Sequence, residues 1–166
     1  MNEVMCVSLW RNVVITDTAG AIGVGEVKTM EKAFRTLLLT NRQIAGLALL
    51  RAGTPVASTD ARAETTRFIK DLGAALTLNA LVIEDKGVMA TMMRSVIRGL
   101  NVVMRNSTLV VHGDAKEAVR ALVPHLANNT DAVASERELL AALADMRAGF
   151  TPGVRRASPS VAPHDN

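Results

Sequence analysis

Short runs of aliphatic and β-branched residues alternate along this chain with longer stretches in which apolar residues recur every three or four positions. The first pattern predicts strands and the second amphipathic helices. Val4 to Leu9 and Val13 to Thr16 are two such short runs, with Arg11-Asn12 placed to turn the chain between them, which predicts an opening hairpin. A glycine-bearing loop from Asp17 to Gly25 follows. From Gly25 to Asn41 the residues Val27, Met30, Phe34, Leu37 and Leu38 share one helical face.

Ile44 to Leu50 is nearly all apolar, the form of a strand buried on both faces of a parallel sheet. After the loop Arg51 to Ala57, residues Ser58, Thr59 and Asp60 offer caps for a helix carrying Phe68, Ile69, Leu72 and Leu76, ending at or beyond Gly73. Ala80 to Ile83 is the next buried strand, and Asp85-Lys86-Gly87 turns the chain into a long helix, Gly87 to Arg105. Thr108 to Val111 is the last strand. Asp114 and Glu117 form a capping box for a helix through Leu126, which Pro124 kinks or ends early. Ser135 and Glu138 read as a second box for a helix through Arg147 with Gly149 beyond its end, and from Phe150 onward nothing periodic remains to be buried.

This order predicts an α/β domain over residues 1–130, with an N-terminal hairpin followed by repeated β-α units on a mostly parallel sheet. One added helix over 131–149 and a disordered tail over 150–166 complete the chain. The long helix has an excess of apolar surface. One stripe holds Val88, Met92, Val96, Gly99 and Val103, and the adjacent one holds Met89, Met93, Ile97, Leu100 and Met104. A single contact with a sheet needs an apolar arc of only ~100° or slightly more. The surplus, in which Met89, Met92, Met93 and Met104 stand out, calls for a neighbouring helix, a second copy of the chain or a ligand.

Composition narrows the function more by exclusion than by assignment. The core must be filled by aliphatic residues and methionine, because 49% of the 166 residues are hydrophobic and only 2% are aromatic. So few rings also leave no stacking platform for single-stranded nucleic acid. The net charge of +3 arises from scattered residues, which gives no basic tract for nucleic acid either. Cys6 is the lone cysteine, excluding a disulfide framework and a thiol metal site. Neither a signal peptide nor an apolar run of membrane-spanning length is seen, so the cytoplasm is the expected location.

The element order, together with the segment ALVIEDKGVMATMMRSVIRGLNVVMRNSTLVVHGDAKEAVRAL, resembles the STAS superfamily, the SpoIIAA-like fold of bacterial anti-sigma-factor antagonists. The resemblance covers about Val4 to Ala127. It implies a non-enzymatic regulatory module that meets a protein partner, a kinase or an anti-sigma factor, and the surplus apolar helix surface adds the expectation of a homo-oligomer. In that family a D-S-[ST]-G motif after the third strand carries a phosphorylated hydroxyl. The corresponding stretch here is Ala57-Ser58-Thr59-Asp60, which places the phosphoacceptor at Ser58 or Thr59 while replacing both the leading acid and the glycine. The fold is also shared with lipid-transfer domains of the CRAL-TRIO type, so the alternative function is carriage of a small apolar or lipid-like ligand in a pocket lined by helix 87–105.

Catalytic patterns are weaker. Gly20, Gly23 and Gly25 lack the lysine and hydroxyl of a phosphate loop, and Lys28 stands where a dinucleotide fingerprint needs its last glycine. His112, His125 and His164 have no second ligand at metal-site spacing, and no nucleophile elbow is present. Asp17, Asp85 and Asp114 would gather at the carboxyl ends of strands, where caps are commoner than catalytic acids. Neither enzymatic activity nor a metal or cofactor is expected. Arg94, Arg98 and Arg105 share a face of the long helix, which forms either a solvated strip or a surface for an acidic partner or anion.

Overall fold

The structure, a computed structural model, describes residues 4–104, 108–127 and 131–150. Strands β1 (Met5–Trp10) and β2 (Val13–Thr18) form the expected hairpin, with Met5 opposite Thr18 and Trp10 opposite Val13. Asn12 at its tip is almost fully buried. Its Nδ2 donates to the carbonyls of Gln43 (3.2 Å) and His125 (2.9 Å), and its Oδ1 accepts from the Ala127 amide at 2.9 Å. One turn residue therefore ties the hairpin tip to two distant segments.

Strands β3 (Ile44–Leu50), β4 (Leu76–Ile83) and β5 (Leu109–His112) extend the sheet in the order β1-β2-β3-β4-β5, each parallel to its predecessor from β2 onward. The strands advance in one direction, so crossovers of a single hand place every connecting helix on the same face. That face carries α1 (Val24–Leu38), α2 (Thr59–Leu72) and α3 (Val88–Met104), with Phe34, Phe68, Ile69, Met93 and Ile97 packed on Val14, Ile44 and Leu81. The opposite face is left to the helices that follow the last strand, α4 (Ala115–Leu122) and α5 (Ala132–Gly149). There Val119, Leu122, Leu139 and Leu143 cover Ile15, Leu47 and Val82. The α/β class with a mostly parallel sheet thus holds.

Several boundaries differ from expectation. Strand β2 runs through Asp17 and Thr18, because β3 continues to pair with it as far as Thr18 opposite Leu50. Leu76 begins β4 instead of closing α2. Gly73, at a φ of 51°, stops that helix by taking a left-handed conformation that glycine tolerates, and one 3-10 turn leads into the strand. Thr77 and Asn79 had masked this strand's start by breaking the apolar run. Asp131, not Ser135, caps α5, its carboxylate accepting from the amides of Val133 and Ala134. Ser135 lies inside the helix and is buried.

Helix α5 runs through Gly149, and Phe150 is packed, with the Arg51 guanidinium 5.0 Å from its ring centre. The added helix therefore packs on its own domain, against α4 and β1. Expectations for the tail from residue 151 lie outside the described residues.

Candidate functional site

Residues alternate sides along a strand, so Thr16 and Thr18 of β2, Ala48 of β3 and Asn79 and Leu81 of β4 turn toward α1, α2 and α3. Small residues at several of these positions leave the helices without enough side chain to fill the space. The result is a cavity of about 140 Å³ roofed by Met30 and Phe34 of α1, Phe68 and Ile69 of α2, and Met93, Val96, Ile97 and Leu100 of α3. The loop Pro55-Val56-Ala57 and Arg62 border it at the carboxyl end of the sheet. Its walls are overwhelmingly apolar.

Asn79 stands on its floor as a polar residue, together with Thr16 and Thr18. It is 8% exposed, and its Oδ1 is buried with no hydrogen-bond partner. Its backbone is anchored, the amide donating to the Thr108 carbonyl at 2.6 Å. Across the sheet it faces Gly46. A Cβ at Gly46 would stand 3.0 Å from both Asn79 Cγ and Phe34 Cζ, and closer still to Asn79 Oδ1. Glycine at 46 therefore makes the room in which the carboxamide and the Phe34 ring sit. A buried unpaired amide group costs ~1–3 kcal/mol, and Asn79 and Thr77 are the polar residues of an otherwise aliphatic strand. In the sequence the only trace of this pair is a glycine in IAGLALL and an asparagine in LTLNALVI, each interrupting a buried strand.

Helix α3 divides its two stripes. Met93 and Ile97 are buried on the sheet side, whereas Val88 and Met92 are exposed at 78% and 51%, as is Val102 at 77%. The methionines expected to form one surface are thus separated, Met93 in the cavity wall and Met92 on an outer groove with Val88, Arg62 and Arg94. The side chains of Met89 and Met104 lie outside the described residues. Arg94 and Arg98 border a second groove, formed with Asn101 and β5, and Arg105 lies outside the described residues. Asn101 holds that groove together through Nδ2, which donates to the Leu109 carbonyl at 2.7 Å.

Ser58 caps α2, its hydroxyl accepting from the Ala61 amide at 3.2 Å. Thr59, the first helical residue, is exposed and its hydroxyl accepts from Arg62 Nη2 at 3.2 Å. The strand-end aspartates do not converge. Asp114 caps α4 and Asp85 accepts from the amides of Gly53 and Lys86. Asp17, fully buried on the α5 side of the sheet, accepts from Arg51 Nη2 at 2.6 Å and from Arg147 Nε at 3.2 Å. Arg147 reaches on to Glu84 at 2.7 Å. Burial works against the Arg147 charge, but hydrogen bonds to Glu84 and Asp17 outweigh it and raise its pKa. This network clamps the end of α5 to three strand ends. Among the described residues no cluster of three or more His, Cys, Asp or Glu is arranged to hold a metal, and no helix is long and apolar enough to cross a membrane.

Comparison with protein-family models, with curated proteins and with solved structures finds no match for this chain.

Proposed function

We propose that the protein is a non-enzymatic binding module that holds a small apolar ligand between its sheet and the helices α1, α2 and α3. The observation that carries the reading is the cavity of about 140 Å³, walled mainly by aliphatic and phenyl side chains. A dry apolar cavity of about 150 Å³ is large enough to take benzene, so the ligand, or the part of it that enters, is the size of one small ring or a short branched chain. Methionine suits such a wall because its unbranched, polarisable side chain adapts to irregular shapes. Met30 and Met93 supply it here. The STAS superfamily, which the chain resembles, shares its fold with lipid-transfer domains of the CRAL-TRIO type, and that kinship supports carriage. Native mass spectrometry of the protein from its own cells tests the reading: added mass that disappears on denaturation supports it, and bare chains that also fail to take up toluene sink it.

A second reading, a STAS-like regulatory module that self-associates or meets a kinase or anti-sigma factor, is favoured by the exposed Val88, Met92 and Val102 of α3. It predicts a dimer of bare chains, and for the phosphorylated form an added phosphoryl group at Ser58 or Thr59. Both hydroxyls are exposed and each accepts one hydrogen bond, Ser58 from the Ala61 amide and Thr59 from Arg62.

A further inference from the structure

We infer that the ligand carries a hydroxyl group and that Asn79 is the residue that selects for it. The inference rests on the carrier reading and refines it from any apolar molecule to a small alcohol or phenol. Three observations place the carboxamide for this task. Asn79 lies on the cavity floor with its Oδ1 buried and unpaired. Its neighbour across the sheet is a glycine whose missing Cβ is what makes room for it. Its backbone, meanwhile, is held in a central strand by pairing on both sides, with Gly46 of β3 and Leu109 of β5. The group is thus fixed at the chain, with its Oδ1 seated over Gly46 and unpaired.

The chemistry of the missing partner follows from the carboxamide. It offers an accepting oxygen and a donating NH2, and rotation about its last torsion, which is soft in asparagine, presents either to the cavity. A hydroxyl both donates and accepts, so it pairs with whichever end is turned inward. A carboxylate only accepts, and the cavity offers it no cation beyond Arg62 at the rim. An ammonium only donates and would have to leave water for aliphatic walls, at heavy desolvation cost. A plain hydrocarbon fills the space but leaves the carboxamide unpaired. Water alone satisfies the amide but gains little from the apolar walls, which favour a molecule with one polar end and an apolar body.

The test is calorimetric titration of the full chain with phenol and toluene, which have nearly the same shape and differ in the hydroxyl. The measured quantity is the ratio of phenol to toluene affinity, compared between the wild type and Asn79→Leu. One hydrogen bond between neutral groups corresponds to roughly a five- to tenfold change in affinity, so the ratio is expected to fall by about that factor in the variant. Toluene binding to the variant shows that the cavity is intact. If Asn79→Leu does not fold, Asn79→Ala gives the same comparison. An unchanged ratio with both ligands bound overturns the hydroxyl inference and leaves the carrier reading standing. Failure of the wild type to bind either ligand removes the carrier reading and this inference with it.

Discussion

Gly46→Ala is the substitution in which the geometry of the site makes its sharpest prediction. Gly46 does not occupy the left-handed region, so alanine meets no backbone strain there, and stiffening the unfolded chain would by itself stabilise by ~0.4–1 kcal/mol. Against this, the new Cβ would stand 3.0 Å from Asn79 Cγ and from Phe34 Cζ, inside ordinary contact, and would overlap Asn79 Oδ1 more severely. Overpacking against side chains already in contact costs ~1–3 kcal/mol. The second effect is larger, and the net loss is expected at about 1–2 kcal/mol, or a fall in Tm of ~3–6 °C for a domain of this size. Urea unfolding followed by far-ultraviolet circular dichroism measures it. Most of the overlap is with one side chain, so the loss should shrink by about 1 kcal/mol or more when Gly46→Ala is made in an Asn79→Ala background. A Gly46→Ala protein as stable as the wild type, or one equally destabilised in both backgrounds, would refute the placement of the carboxamide over Gly46.

Other substitutions probe the frame around the site. Asn12→Ala removes a buried side chain that satisfies the Gln43 and His125 carbonyls and the Ala127 amide, and should lower the unfolding free energy by roughly 3 kcal/mol; a loss below about 1 kcal/mol in urea titration would contradict the three-way tie. Leu139→Ala, at a fully buried position of α5, should cost ~2–5 kcal/mol, independent of protein concentration, whereas a concentration-dependent loss would mean that α5 packs on another copy. Glu31 links α1 to α2. The hydrogen bond from Arg35 lowers its pKa, burial opposes the shift, and Arg67 adds to the lowering. A depressed folded pKa means stabilisation that is present above the ordinary glutamate value and lost as the pH falls through the folded value. Glu31→Gln should therefore lose less stability than the wild type between neutral and strongly acidic pH, and an equal acid-side loss would show that the pair contributes nothing.

The parts of this molecule that follow from local periodicity were legible in its sequence. Hairpin, three β-α units and the two final helices all appear in the expected order, because each depends on spacings of two or three to four residues. What escaped were features set by partners distant in the chain. Asp17 reads as a loop residue until Arg51 and Arg147, 34 and 130 positions away, make its burial in β2 tolerable. Phe150 reads as the start of a featureless tail until the Arg51 side chain packs over its ring. The surplus apolar face of α3 was visible, with its three alternative covers left open. The side chains now resolve part of it: Met93 and Ile97 face the sheet and the cavity, while Val88 and Met92 remain exposed. The cavity itself was invisible, since it is made by small residues on one sheet face, Ala48 and Thr16 among them, and absence of volume leaves no periodic signal.

The most direct test of the central claim is a methyl-region NMR titration of the full chain with toluene. Binding in the cavity predicts that shift changes concentrate on Met30, Val56, Met93, Ile97 and Leu100, which line it, and spare the exposed Val88 and Val102. Absence of shifts at saturating toluene, or shifts confined to the outer face of α3, would contradict a ligand-binding interior and favour a surface that meets another protein.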